Sequence, residues 1–314
     1  MTIKATLITS QGDDLVVDAA RASFMKTYDK YTDEQNERLI RFLARAEPPH
    51  FTPFTHPRYS ILLPKYAIPD LYDMSQTDLA GAVWRKRDEW LYFRHSFYGW
   101  VNIIKKGFLP PAISESIENS LRAEMPVSCR HMLGDNKKTR LVNPRLPIID
   151  VNHPDFIDVT LLYEVPIFVA RQEFKHMIGF TRNERSGRYV TADTEFYYPD
   201  AWRKKPDGSI KQGSGGDLCE HLCGQASFAY TGAVEEAGFL YSDMLGSGIA
   251  PEMARMVLPQ SMITSYVVTA NLTGLSRFVY QRTKPDAQKE IKDLAHQVNS
   301  LLKHEFGSEW NKGI

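Results

Sequence analysis

The sequence has no excess of either charge and little cysteine. Lys+Arg and Asp+Glu number 38 each in 314 residues, so the formal net charge is zero. Proteins that bind nucleic acid usually carry a basic excess. Three cysteines do not suggest a disulfide framework. We therefore predict no nucleic-acid partner and no disulfide-stapled fold.

Long apolar runs are also missing. No stretch approaches the roughly 20 apolar residues that a membrane helix needs. The first residues, MTIKATLITSQGDD, show no charged segment followed by an apolar run. We expect a soluble, cytoplasmic protein with no membrane partner.

Common cofactor motifs are absent as well. There is no GxGxxG before a helix and no Walker loop. The stretches CEHLC, which begins at Cys219, and CRH, which begins at Cys129, match no standard zinc spacing. Because a lone cysteine is most often a small buried hydrophobe, we predict no metal site.

The apolar pattern that is present predicts a mixed α+β chain. Thr32 and Gln35 fit a capping box at the start of a helix. Residues 156–164 are rich in β-formers and predict a strand. Pro166 then suits the start of a helix, PIFVARQEFKHM. Two pairs of residues four apart would each share one face of that helix: Arg171 with Lys175, and Gln172 with His176.

Further helices are predicted at both sides of this region. Residues 80–106 combine Trp84, Trp90 and Trp100 with basic side chains, which could stack bases. A helix packed by its aromatic face is the favoured alternative, because aromatic residues dominate ordinary cores. Residues 265–282 and 286–302 also suggest helices.

The stretch RNERSGRY, residues 182–189, holds three arginines, a glutamate, a serine and a glycine. Such donors suit an anion, but a solvated loop has the same composition. By residue type Ser186, Arg188 and Arg255 could bind a phosphate, while Gln172 and Glu184 could pair with a base edge. Each arginine alone is equally typical of a protein surface, so the residues leave both alternatives open.

Read together, several blocks resemble the flavin-dependent thymidylate synthases (the ThyX family). PIFVARQ, NERSGRY and EFYYP are similar to that family's signature, an Arg-His-Arg triplet leading to Ser-x-Arg. Three further blocks agree with the family in order and spacing: AARASF, PFTH, and a later block of EMARMVLP with TANLTGL, Arg282 and AQKEI. The resemblance covers about 13–60 and 157–295. One extra residue before Ser186 resembles virus-borne members.

The resemblance implies a ThyX-like fold, an antiparallel sheet flanked by helices. Residues 1–314 would form one domain, with 64–155 as a large, mainly helical insertion. It also implies conversion of dUMP to dTMP. Methylenetetrahydrofolate would donate the carbon, FAD would supply the hydride, and NADPH would reduce the FAD. Family members are homotetramers whose sites are shared between chains.

The same resemblance assigns roles to residues. Arg282 and His56 are expected to be catalytic, and Arg255 is expected to come from another subunit. The dUMP contacts would be Gln172, Glu184, Ser186, Gly187, Arg188, Arg255 and Arg282. The FAD contacts would be Ser23, His56, Lys175, His176, Asn271 and Arg277.

The chain departs from the family pattern on the flavin side. Lys175-His176-Met177 stands in place of Arg-His-Arg, which removes a guanidinium fork and one charge. Thr273, Arg277 and Asp286 also differ from the usual residues. Two alternatives therefore stay open: an enzyme that makes 5-hydroxymethyl-dUMP, and a nucleotide-binding protein without catalysis.

Overall fold

A computed structural model describes residues 3–22, 31–68, 71–78, 81–135, 146–185, 194–206, 213–307 and 310. Two antiparallel sheets, each with its own helices and hydrophobic core, make up this part of the chain. The predicted α+β class is thus confirmed. None of the helices within these residues is long and apolar enough to cross a membrane.

The first sheet has four strands in the order β1, β5, β7, β6. Their bounds are β1 Lys4–Ile8, β5 Asp158–Pro166, β6 Phe180–Glu184 and β7 Ile263–Asn271. Every residue of β7 is buried. Three helices pack on this sheet: α7 Ile167–Glu173, α10 Leu272–Arg282 and α11 Lys289–Phe306. We call this unit the four-stranded core.

The second sheet has three strands in the order β2, β4, β3. They are β2 Arg58–Pro64, β3 Val83–Arg87 and β4 Trp90–Ser96. The helices around it are α1 Gly12–Ala22, α2 Asp33–Arg45, α3 Leu71–Ser75, α4 Phe97–Lys106, α5 Pro111–Glu124 and α6 Pro126–Leu133. We call this unit the three-stranded core.

Residues 64–155 share the three-stranded core with the chain that precedes them. Phe93 and Trp100 from this segment belong to one buried cluster with Val16 and Phe54. The segment therefore builds interior as well as surface. The division into one domain with 64–155 as an insertion stays a prediction.

The predicted helix over residues 80–106 is wrong in its first half. Residues 83–96 form the hairpin β3–β4, and only 97–106 are helical. Leu91 and Phe93 are buried at alternate positions of β4, as a strand requires. The turn of this hairpin contains Asp88, which has a φ of 49°. A glycine at that position would have indicated the turn in the sequence, but there is none. Trp100 is fully buried, so core packing is the role of this aromatic side chain.

The predicted helix over residues 265–282 is also wrong in its first part. Residues up to Asn271 form β7, whose Val267, Val268 and Thr269 are β-branched. The helix begins after Asn271, whose side chain accepts a hydrogen bond from the Gly274 amide at 2.8 Å. The capping box of α2 and the strand β5 are confirmed.

Two helices complete the described chain. α8 runs over Glu220–Gly246, and the short α9 over Pro251–Ala254. Although α8 has 27 residues, only Val234 and Tyr241 are buried. Phe228 and Phe239 are 86% and 72% exposed. An apolar helix this exposed is typical of a surface that another chain covers.

Candidate functional site

The turn between α7 and β6 carries two of the predicted site residues. α7 ends at Glu173, so Lys175 and His176 lie in a turn, and the prediction that they share helical faces with Arg171 and Gln172 is wrong. Gly179 closes the turn with φ 80°. A Cβ there would lie 2.8 Å from Asn271 Oδ1, so the close approach to β7 requires glycine.

A buried ion pair lies directly beneath this turn. The Arg182 guanidinium donates to both carboxylate oxygens of Glu173, from Nε to Oε2 and from Nη2 to Oε1, each at 2.8 Å. Tyr266 donates its hydroxyl to the same carboxylate at 3.2 Å. Burial raises the pKa of Glu173, while the hydrogen bond from Arg182 opposes that change.

Arg282, at the end of α10, reaches the turn from the other side. Its Nε donates to His176 Nε2 at 3.0 Å, and its Nη2 donates to the Gln172 carbonyl at 2.8 Å. Burial lowers the pKa of His176 to about 4, with Arg282 as the next cause. His176 is therefore neutral near pH 7, and its Nε2 accepts the hydrogen bond from Arg282. The structure thus brings together three of the predicted site residues: Gln172, His176 and Arg282.

Gln172 continues this arrangement towards α11. Its amide donates to Gln288 Oε1 at 2.7 Å, and Gln288 donates to Glu290 Oε2 at 2.9 Å. Glu290 in turn accepts two hydrogen bonds from Arg203, at 2.7 and 2.9 Å. Hydrogen bonds therefore fix the orientation of the Gln172 amide.

Glu184 and Arg255 border a cavity of about 180 Å³ at the end of β6. Thr264 donates to Glu184 Oε1 at 3.0 Å. Burial raises the pKa of Glu184, and the charge of Arg255 opposes that change. The exposed guanidinium of Arg255 and the carboxylate thus face one small cavity. Its wall continues to Arg185, the residue before Ser186.

His56 and Asn271 lie inside the protein. His56 is 1% exposed, and its Nδ1 lies 2.8 Å from Thr269 Oγ1. Burial lowers the pKa of His56 to about 3, with Arg58 as a further cause, so the ring is neutral near pH 7. Asn271 is buried and caps α10. Within a single chain, neither side chain is exposed to a ligand from solvent.

The other predicted flavin residues are exposed. Lys175 lies in the turn after α7 and Arg277 on the surface of α10. Arg277 lies close enough to His176 to contribute to its lowered pKa. Ser23, Ser186, Gly187 and Arg188 lie outside the described residues.

A second cluster of charges joins the two cores. Arg58 from β2 donates to Asp158 Oδ1 at 3.2 Å, and Arg94 from β4 pairs with the other oxygen of the same carboxylate. Arg58 also donates to the Gly179 carbonyl at 3.1 Å. The hairpin of residues 83–96 is therefore linked to the turn that carries His176.

The sequence reasoning missed Glu173, Arg182, Gln288 and Glu290 as parts of this site. A carboxylate at the end of the otherwise apolar helix IFVARQE was the available signal. Gln288 and Glu290 lie in AQKEI, which was noted only as a matching block. Within the described residues no group of three or more potential metal ligands occurs, and the absence of a metal site stays a prediction.

Comparison with known proteins adds a family resemblance to this fold and geometry. Residues 152–306 match the family model Thy1, described as thymidylate synthase complementing protein. The match covers about half of the chain and makes these residues similar to the Thy1 family.

Two relatives show the extent of the similarity. A flavin-dependent thymidylate synthase from Thermus thermophilus is 37% identical over 148 residues, which are 47% of this chain and 53% of the relative. One from Aquifex aeolicus is 28% identical over 312 residues, or 92% of this chain and 94% of the relative. The chain therefore spans about half the length of the Thermus relative and nearly all of the Aquifex one.

A solved structure is similar over a comparable length. The UMP/dUMP methylase PolB from Streptomyces cacaoi, bound with 5-Br dUMP, aligns with 96% of this chain and 90% of its own. The sequence identity is 22% and the TM-score 0.45.

Proposed function

We propose that the protein is a flavin-dependent thymidylate synthase that converts dUMP to dTMP. Methylenetetrahydrofolate is the proposed carbon donor, and FAD reduced by NADPH the proposed hydride source. One observation carries the proposal: Arg282 donates to the ring of His176 and to the carbonyl of Gln172. Residues far apart in sequence thus meet: the family resemblance assigns Gln172 and Arg282 to the dUMP contacts and His176 to the adjoining FAD contacts. The names of the relatives support the same activity.

The nucleotide would bind between Arg282 and the cavity beside Glu184. Arg255 and Glu184 line that cavity, and Ser186, Gly187 and Arg188 follow its wall residue Arg185 in sequence. Hydroxyl and guanidinium donors suit the phosphate. Arg282 and the amide of Gln172 suit the uracil, because a cation near the ring stabilises the negative charge that develops on it.

The exposed cations fit a flavin dinucleotide. Lys175, which precedes His176 in sequence, and Arg277, whose charge contributes to the lowered pKa of His176, are both exposed, and two cations suit the diphosphate of FAD. When bound, the flavin supplies the hydride. His56 and Asn271 would shape this site from beneath, since Asn271 fixes the start of α10 and packs against Gly179.

We also propose that the active form is a homotetramer. Exposed phenylalanines on α8 would be buried if another chain packed against this helix. A second copy of the chain presents a matching apolar helix. Arg255 lies just after α9, which contacts α8. A neighbour packed against α8 would therefore lie close to Arg255. The family resemblance expects Arg255 from another subunit, whereas within this chain Arg255 already lines the cavity with Glu184.

One observation favours a second candidate, a dUMP hydroxymethylase. Met177 is 75% exposed on the flavin side, where the family has an arginine. A missing charge there would weaken cofactor binding. An enzyme that transfers the methylene group from the folate to uracil C5 and then adds water to that carbon, without hydride transfer, would tolerate that loss.

The experiment incubates the protein with dUMP, methylenetetrahydrofolate, FAD and NADPH. Mass spectrometry then gives the mass of the nucleotide product. We expect the mass of dTMP, and no product from the Arg282→Ala variant. Arg45→Ala, an exposed arginine on α2, is the matched control and should act like the parent. The mass of 5-hydroxymethyl-dUMP would favour the second candidate. Unchanged dUMP from a folded, flavin-loaded parent would contradict both and favour a non-catalytic nucleotide-binding protein.

A further inference from the structure

The ion pair beneath the α7–β6 turn has no part in the proposed chemistry. The Glu173 side chain is 0% exposed and that of Arg182 15%. Burying two charges is expensive, and well-packed apolar side chains of similar volume usually stabilise a protein as well or better. Packing alone therefore gives little reason for this pair.

Arg182 also holds the main chain of the turn. Its Nη2 donates to the carbonyl of His176 at 2.5 Å and to that of Glu173 at 3.3 Å. Carbonyl groups at the end of a helix have no partner within the helix. A single guanidinium thus bridges the buried carboxylate and the turn, and the rings of Phe174 and Phe180 lie 5.4 and 4.7 Å from it.

The same turn orients Arg282. Arg282 donates to the His176 ring and to the Gln172 carbonyl, one residue before Glu173. Both acceptors therefore lie on the short stretch of chain that Arg182 and Glu173 hold in place. Any shift of this stretch moves the two acceptors of Arg282 together.

We propose that Glu173 and Arg182 are positioning residues: they hold the turn, and with it the two acceptors of Arg282, so that Arg282 faces the nucleotide. This inference rests on the proposed function, because dUMP is the ligand that Arg282 meets. The competing explanation is that the pair only stabilises the fold. The two explanations predict different dUMP affinities for a variant that lacks the pair but is still stably folded.

The test replaces the whole buried group with apolar side chains, E173L/R182M/Y266F. Tyr266→Phe is included because its hydroxyl would otherwise lose its acceptor. The matched control is E118L/R122M, which removes a partly buried pair on α5 in the other core. Thermal unfolding confirms that each variant is folded, and calorimetry gives the dUMP dissociation constant.

We expect the E173L/R182M/Y266F variant to bind dUMP roughly tenfold more weakly, as for coupled residues in one network. The control should match the parent. In an Arg282→Ala background, the same three changes should cause no further loss, because their effect passes through Arg282. Parental affinity in the folded triple variant, or a loss that adds to that of Arg282→Ala, would overturn the proposal.

A conservative variant keeps the test valid if the triple variant does not fold. Arg182→Lys retains the charge next to Glu173, but one ammonium lacks the planar fork that also reaches the His176 carbonyl. We expect it to fold and to raise the KM for dUMP more than it lowers kcat. An unchanged KM for dUMP would overturn the proposal.

A failure of the proposed function would be recognised separately. If the parent itself binds no dUMP, the proposed activity is wrong, and hydrogen exchange then decides the positioning role. The amides of residues 174–180 should exchange faster in E173L/R182M/Y266F than in E118L/R122M. Equal exchange in the two variants would show that the pair does not hold the turn.

Discussion

The two cores of this protein bury different kinds of side chain. The three-stranded core is built on aromatic and aliphatic residues such as Phe54, Phe93 and Trp100. The four-stranded core buries paired charges, among them Glu173 with Arg182 and Glu290 with Arg203. Of the predicted nucleotide residues, Gln172, Glu184 and Arg282 lie on α7, β6 and α10 of the four-stranded core. Buried charge pairs therefore lie in the four-stranded core and at its junction with the three-stranded sheet, where Arg58 and Arg94 meet Asp158.

The two cores meet at Asp158, whose carboxylate accepts from Arg58 and Arg94. Arg58 carries this link on to the turn at Gly179. The segment 64–155, to which Arg94 belongs, thus supports the site from behind. A purely peripheral role for that segment does not account for these contacts.

The largest expected effect comes from removing this junction. Asp158→Asn leaves two guanidinium groups that are 4% and 3% exposed without a charged partner. We expect the free energy of unfolding, measured with urea, to fall by about 3–5 kcal/mol. Asp293→Asn, which breaks the exposed pair with Lys289, should cost about 1 kcal/mol or less. Similar losses in the two variants would contradict a buried junction.

Local signals and recognised blocks predicted part of this structure. Thr32 and Gln35 marked the start of α2, and the ordered blocks brought Gln172, His176 and Arg282 into one site. The hairpin β3–β4 was missed because its turn contains no glycine. β7 was missed because a strand buried on both faces shows no alternation. The partners Glu173 and Arg182 lie nine residues apart across a turn, so neither helical nor strand spacing indicates their contact.

The proposed nucleotide site can be tested by comparing one arginine variant at the site with one on the three-stranded core. Arg255→Ala removes a proposed phosphate donor beside Glu184 and should weaken dUMP binding by about 2 kcal/mol, since a charge-assisted hydrogen bond is lost. Arg45→Ala changes an exposed arginine on the three-stranded core and should leave the affinity unchanged. Calorimetry measures both. Equal affinities for the two variants would remove Arg255 from the site.

The smallest expected effect, taken per pH unit, comes from two buried histidines. The pKa of His56 and that of His95 are both lowered to about 3, chiefly by burial. Between pH 6.5 and pH 3 the unfolded chain therefore binds more protons than the folded chain. The free energy of unfolding falls as the pH falls through this range, by about 1.4 kcal/mol per pH unit for each histidine.

Urea unfolding at pH 7, 6 and 5 measures this slope. His56→Asn and His95→Gln should each flatten it by about 1.4 kcal/mol per pH unit below pH 6. The double variant should lose both contributions. If the variants keep the parental slope, these histidines are protonated in the folded protein and the described burial is wrong.

The most direct test of the account maps where dUMP binds. Hydrogen exchange of the parent protein should be measured with and without dUMP. We expect slower exchange in residues 172–185, 255–264 and 276–282, and no change in residues 83–133. Protection confined to residues 83–133, where exposed Trp84 and Trp90 could stack a base, would contradict the assignment of the site to the four-stranded core.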